Sequence, residues 1–194
     1  MGNTFIFKND VYNYFDHEYN TTLSNERCVE VSISKKFIDD FSENLIEVGC
    51  VLPYYFNTDH VVYDIYDSHP KSLSVDAVDV DYSGKNVLSI STLEHVGTSD
   101  YGIQPKEENS GIILCERIIK ESNKFFITWP LGYNKIMDEW IFNNQSMSKY
   151  VSYIKRNQTN KSLWEQSNFS ELSIEDKMYG TYSAANTIVV ITNS

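Results

Sequence analysis

Three short apolar runs constrain this chain most: Leu45 to Val48, Val61 to Tyr63 and Val87 to Ile90. Each is continuous rather than alternating, and each ends in a polar or acidic residue. Continuous apolar character fits strands buried on both faces, as in parallel sheets covered by helices. In such sheets a ligand sits beyond the carboxyl ends of the strands. The residues to weigh are therefore Glu47 to Val51, Asp64 to Asp67 and Ser91 to His95, with Asp76 and Ala77 on the connection between the last two runs.

Around these runs the pattern predicts a helix from Glu26 to about Phe41, since Val29, Ile33, Phe37, Ile38 and Phe41 recur at helical spacing, with Ser34, Lys35 and Lys36 on the wet face. Ile112 to Ile119 again reads as helix, Lys124 to Thr128 as a buried strand and Met137 to Phe142 as a short helix. Tyr150 to Lys155 alternates like a strand, with Leu163 to Phe169 its partner or a following loop, and Ala184 to Thr192 closes the chain as a strand. Thr98 to Gly111, with Gly102 and Pro105, reads as a loop over the active face. The expected architecture is a three-layer α/β sheet, mostly parallel, with an antiparallel C-terminal strand pair. A length of 194 residues predicts one domain, with 1–25 as an aromatic arm packed on a core spanning 26–194.

Charge narrows the partners. A formal net charge of -11 argues against nucleic acid and anionic membranes, whose affinity comes mainly from Lys and Arg. No apolar run approaches the length of a membrane span, and the N-terminus has no positive segment followed by an apolar core, so a cytoplasmic protein is expected. Cys28, Cys50 and Cys115 have no metal-ligand spacing and read as reduced thiols. The acid-rich segment Asp76 to Asp81 lacks the Gly hinge and terminal Glu of a calcium loop, so no metal is expected.

Four segments, in order and spacing, resemble the class I S-adenosylmethionine-dependent methyltransferases, which have a Rossmann-like sheet. LIEVGC at 45–50 is similar to the family's first motif and VVYDIYD at 61–67 to its second strand with the ribose acid. VDAVDVDY at 75–82 resembles the Asp-Ala segment beside adenine, and VLSISTLEHV at 87–96 the fourth strand with its Leu-Glu-His tail. YFDHEYNTTLSNERCVEV at 14–31, WPLGYN at 129–134 and YGTYSAAN at 179–186 resemble a compact subgroup found among surface-polysaccharide and glycosylation genes. One departure stands out: the usual Gly-x-Gly turn is absent, because Gly49 is followed by Cys50, Val51 and Leu52.

The resemblance implies S-adenosyl-L-methionine as cofactor. Glu47, Gly49 and Cys50 would lie at its methionine and sulfonium end, Asp64 on the ribose hydroxyls, the Asp76 side chain and Ala77 N–H on adenine, and Ser91 would contribute backbone groups. An alcohol acceptor must lose its proton, so a base is expected. The candidate is His95, oriented by Glu94, with His17 as second candidate; the plainer reading makes Glu94 a cap and His95 a packed core residue. Tyr133, Asn134, Tyr179, Tyr182 and Asn186 combine apolar faces with hydrogen-bonding tips, a suitable wall for a sugar or sugar nucleotide, or equally for loop packing. Two other functions remain open: a non-catalytic cofactor-binding or interaction module on the same fold, and a dinucleotide-dependent oxidoreductase, which suffers from the missing Gly-x-Gly-x-x-Gly.

Overall fold

The structure is a computed structural model that describes residues 4–100, 109–179 and 184–194. Its strands are β1 (Thr4–Phe7), β2 (Asp10–Asn13), β3 (Leu45–Val48), β4 (Val61–Tyr63), β5 (Ser72–Leu73), β6 (Asn86–Ile90), β7 (Lys124–Pro130), β8 (Val151–Arg156), β9 (Trp164–Ser167) and β10 (Thr187–Thr192). Its helices are α1 (Arg27–Phe41), α2 (Ser110–Glu121) and α3 (Lys135–Asn143). The chain divides into two compact units, one of Met1–Lys36 with Pro130–Ile191, the other of Phe37–Trp129 with Thr192–Ser194.

In the second unit, parallel pairing joins the strands in the order β5-β4-β3-β6-β7. The first strand of the series, β3, lies in the middle; the chain then builds outward through β4 and β5 before crossing back to β6 and β7. The two directions diverge between β3 and β6, which is the topological switch point of an open α/β sheet. Every residue of β3 and β6 is buried, as the continuous apolar runs predict, and burial weakens toward the β5 edge, where Val61 and Leu73 are exposed.

The expected alternation of strand and helix holds only between β6 and β7, where α2 lies. The β3–β4 and β5–β6 connections instead carry single 3-10 turns, Leu52–Tyr54 and Ala77–Asp79. Pro53 lies in the first turn, and side-chain carboxylates, described below, add to the backbone hydrogen bonds of both, among them Tyr55 N–H to Leu52 O and Asp79 N–H to Asp76 O, each 2.9 Å. Among the described residues no helix is long and apolar enough to cross a membrane.

At the opposite end of this sheet, Asn86 fixes the register. Its side-chain amide donates to the carbonyls of Phe41 (3.1 Å) and Glu43 (2.8 Å), and its oxygen accepts from Asn123 (3.2 Å), so one side chain satisfies three residues in two segments outside the strands.

The first unit is antiparallel: β8 pairs with both β10 and β9. The expected aromatic arm is a hairpin, β1–β2, turned by Lys8 and Asn9, both at positive φ as a two-residue hairpin turn requires. Phe5 and Phe7 are buried, and Phe5 stacks on Tyr12 and Tyr14 at 5.3 and 5.1 Å. In α1, Val29 and Ile33 are buried as expected, but so is Ser34, which the sequence placed on the wet face. Two charged side chains hold Ala185 beside β10. Glu26 accepts its N–H at 3.0 Å, and Arg156, which stacks on Trp164 at 4.4 Å, donates to its carbonyl at 2.9 Å.

Two outcomes test these supports. Asn86→Leu should lower stability by about 1–3 kcal/mol, the scale for stranding buried polar groups, as a reduced urea midpoint at unchanged slope. Burial, and then the charge of Glu30, raise the Glu26 carboxyl above its ordinary 4.5. The folded state therefore binds more protons than the unfolded one between the two values, and stability falls as pH rises through that window. Glu26→Gln, which keeps an acceptor for Ala185, should flatten that fall in denaturation curves measured from pH 4 upward, about the ordinary carboxyl range.

Candidate functional site

The parallel sheet presents the tips of β3, β4 and β6 on one edge. Gly49, directly after β3, has φ +87°, and a Cβ built there would overlap the Thr92 side chain that follows β6. Glycine is therefore required on two counts, a left-handed backbone and a close approach. Thr92 is tied to the strand by its hydroxyl, which donates to Ile90 O at 3.0 Å. Ser91 between them sits at φ +40°, with its N–H donating to Thr128 O at 2.9 Å, so the β6 tip holds an uncommon backbone conformation next to the switch point.

The loop after β3 is held by carboxylates. Glu47 is wholly buried; its Oε1 accepts from the N–H groups of Val51 (2.9 Å) and Leu52 (2.8 Å), and its Oε2 lies 2.8 Å from His60 Nε2. Asp64 accepts from Cys50 N–H (2.9 Å) through Oδ2 and from Tyr66 and Asp67 N–H (2.9 and 3.0 Å) through Oδ1. The Gly49 N–H donates to Tyr63 O at 2.9 Å. All four N–H groups from Gly49 to Leu52 thus point into the chain. Glu47, expected against the cofactor's sulfonium end, is the support that shapes the loop.

Asp67 adds a third acid to this edge, accepting the Tyr54 hydroxyl at 3.0 Å to each oxygen. Burial, then the charges of Asp67, Glu47 and Asp64, push the Cys50 thiol up to about 12, so it stays protonated and is no nucleophile. The edge carries a negative field. Among the described residues no group of three or more His, Cys, Asp or Glu is arranged to hold a metal.

Asp76 caps the turn Ala77–Asp79, its Oδ1 accepting from Val78 N–H at 3.2 Å. Ala77 opens that turn, where a backbone N–H has no partner within the turn itself. Arg117 from α2 secures the segment by donating to Val78 O (2.6 Å) and Val80 O (2.7 Å), while the buried Tyr82 donates its hydroxyl to Ala77 O at 2.7 Å.

Beyond Thr92, the 3-10 turn Leu93–His95 buries Glu94 and leaves His95 half-buried. His95 Nδ1 lies 2.7 Å from Asp100 Oδ2, and Nε2 lies 3.8 Å from Glu94 Oε1. Asp100, within hydrogen-bond reach of Nδ1, is a residue that the sequence reading did not single out.

Glu47, Gly49, Cys50, Asp64, Asp76, Ala77, Ser91, Glu94 and His95 all belong to the parallel unit. The remaining candidates belong to the other one. There His17 Nδ1 accepts from Tyr19 N–H at 3.0 Å, which commits the ring's basic nitrogen to its own turn. Tyr133 and Tyr179 meet edge to face at 5.2 Å. Asn134 caps α3 by accepting from Ile136 and Met137 N–H, and Asn186 donates to the carbonyls of Glu175 and Met178. Tyr182, with Gly102 and Pro105 of the expected active-face loop, lies outside the described residues.

The contact between the tips has a measurable cost. Gly49→Ala should destabilise by about 1–2 kcal/mol through the left-handed backbone alone, and by more through overlap with Thr92. Adding Thr92→Ala should recover only the overlap part, a coupling that a double-mutant denaturation cycle reads directly. Strictly additive costs would show that Thr92 is not what excludes a side chain.

No protein-family model, no curated protein and no solved structure matches this chain.

Proposed function

We propose that the chain is an S-adenosyl-L-methionine-dependent methyltransferase. It methylates a hydroxyl of a small molecule such as a sugar or sugar nucleotide in glycan biosynthesis, in the cytoplasm, on the three-layer Rossmann-like fold of that enzyme class. One observation carries the choice of cofactor: the N–H groups of Gly49, Cys50, Val51 and Leu52 all donate within the chain. A dinucleotide site needs such groups turned outward to cradle a pyrophosphate. A loop with them turned inward, ringed by Glu47, Asp64 and Asp67, suits a ligand that carries positive charge and no phosphate.

The residues fit that ligand. A carboxylate has about four acceptor positions, and Asp64 uses three of them on backbone N–H groups, leaving room for a ribose hydroxyl. Asp76 and the Ala77 N–H, held in place by Arg117 and Tyr82, offer an acceptor and a donor side by side for the edge of adenine. When bound, S-adenosyl-L-methionine supplies an electrophilic methyl group. The chain's own part is to hold the acceptor in line with it, which is worth much of the acceleration in a displacement reaction. His95, on the β6 tip beside Thr92, takes the acceptor's proton.

Calorimetric titration tests this directly. S-adenosyl-L-methionine should bind and NAD should not. Asp64→Ala and Asp76→Ala should each weaken binding by about 1–3 kcal/mol. His95→Ala should bind like the parent but turn over about 100-fold more slowly or worse. Binding of NAD instead, or parental affinity in both aspartate variants, would sink the assignment.

A further inference from the structure

Backbone pairing of β3 with β6 runs as far as Glu47 opposite Leu88. Above that level the Ser89 hydroxyl donates across to Val48 O at 3.0 Å, and then the tips part. The Gly49 N–H donates to Tyr63 O on β4 and the Ser91 N–H to Thr128 O on β7, each at 2.9 Å. The two tips thus give their hydrogen bonds to strands on opposite sides, and the crevice of the switch point opens between them.

Thr92 stands in that crevice. A Cβ built on Gly49 would overlap both its hydroxyl and its methyl group, so the Thr92 side chain already holds the volume that a residue at 49 would claim. It is not free to swing away. Its hydroxyl donates to Ile90 O at 3.0 Å, its carbonyl accepts from His95 N–H at 3.0 Å, and a β-branched side chain has few χ1 choices. Thr92 is half-buried between the buried Ser91 and Leu93. On the other side of Gly49, the Asp64 carboxylate accepts the Cys50 N–H at 2.9 Å. A ligand lying over Gly49 is therefore bounded by Thr92 toward β6 and by Asp64 toward β4.

We propose that Thr92 is a specificity-determining residue: its fixed methyl limits the group held over Gly49 to the size of a methyl, so the site takes an S-methyl sulfonium and turns away donors with longer alkyl groups. The sulfonium in this statement rests on the methyl-transfer reading above. Charge does not make this choice, since methyl and ethyl sulfonium ions are drawn alike by Glu47, Asp64 and Asp67. Shape does, because close-packed side chains leave little slack for an added methylene. The Thr92 hydroxyl sets the rotamer, and the methyl carbon excludes.

Calorimetric titration of the full chain with S-adenosyl-L-methionine and with its S-ethyl counterpart tests this. The parent should bind the methyl compound about 10-fold or more tightly than the ethyl one, the scale for one methylene in a fitted pocket. Thr92→Ser keeps the hydroxyl and loses the methyl; it should lose most of that preference by gaining affinity for the ethyl compound. Thr92→Ala should follow it. Thr92→Val keeps the branched bulk without the hydroxyl and should discriminate as the parent does, which separates exclusion by bulk from the tie to Ile90. Equal affinity of the parent for the two compounds, a preference unchanged in both Thr92→Ser and Thr92→Ala, or one lost in Thr92→Val each overturns the proposal while leaving the methyl-transfer reading standing. A parent that binds neither compound defeats both.

Discussion

The buried carboxylate of Glu47 is the interaction on which the candidate site depends. A charge removed from water is tolerable only when paired and hydrogen-bonded, and Glu47 meets that condition with two backbone N–H groups and one imidazole. Those partners are the two ends of the β3–β4 connection: Val51 and Leu52 where it starts, His60 where it finishes. One side chain on the central strand thus closes a loop that has no helix to stiffen it. Asp64 does the same from the next strand, reaching back to Cys50 and forward to Tyr66 and Asp67. The shape of the strand-tip edge follows from these acids, and so does its sign of charge.

The antiparallel unit reaches rigidity by a different route. Arg156 donates to carbonyls of Ser24, Lys161 and Ala185 while its flat face covers Trp164. A planar fork of donors is suited to gathering several backbone oxygens at once, which a lysine could not do. Glu26 completes the grip on Ala185 from the other polar atom of the same residue. Buried charge is used in both units to fix irregular backbone, with carboxylates capturing N–H groups in one and a guanidinium capturing carbonyls in the other.

Much of this fold was legible in the sequence, and for a physical reason. Strands β3 and β4 have the bounds read from their apolar runs, which stand out against the polar residues that flank them even though Glu47 sits within β3. The limits of legibility are equally physical. Strand β5 is only Ser72 and Leu73, too short for any periodicity, and the turn at Lys8 and Asn9 lacks the Asn-Gly signature of a hairpin. A motif places Glu47 near a ligand but cannot say whether its oxygens face outward or into its own loop. Asp100 is invisible for a similar reason: nothing in a five-residue spacing from His95 marks it until Gly97 and Thr98 fold the chain back. Arg117, which secures the Asp76–Ala77 segment, comes from a helix far along the chain and carries no local signal.

The inward-facing amides of the β3 loop bear on energetics as well as ligand choice. A phosphate-binding loop gains its hydrogen bonds only when the anion arrives, and part of the binding free energy then goes into ordering it. Here the loop already has its full set of partners, so a ligand meets a surface whose conformational entropy was surrendered during folding. Whatever docks against that edge is judged by its own shape and charge, with little help or hindrance from induced rearrangement of residues 49–52.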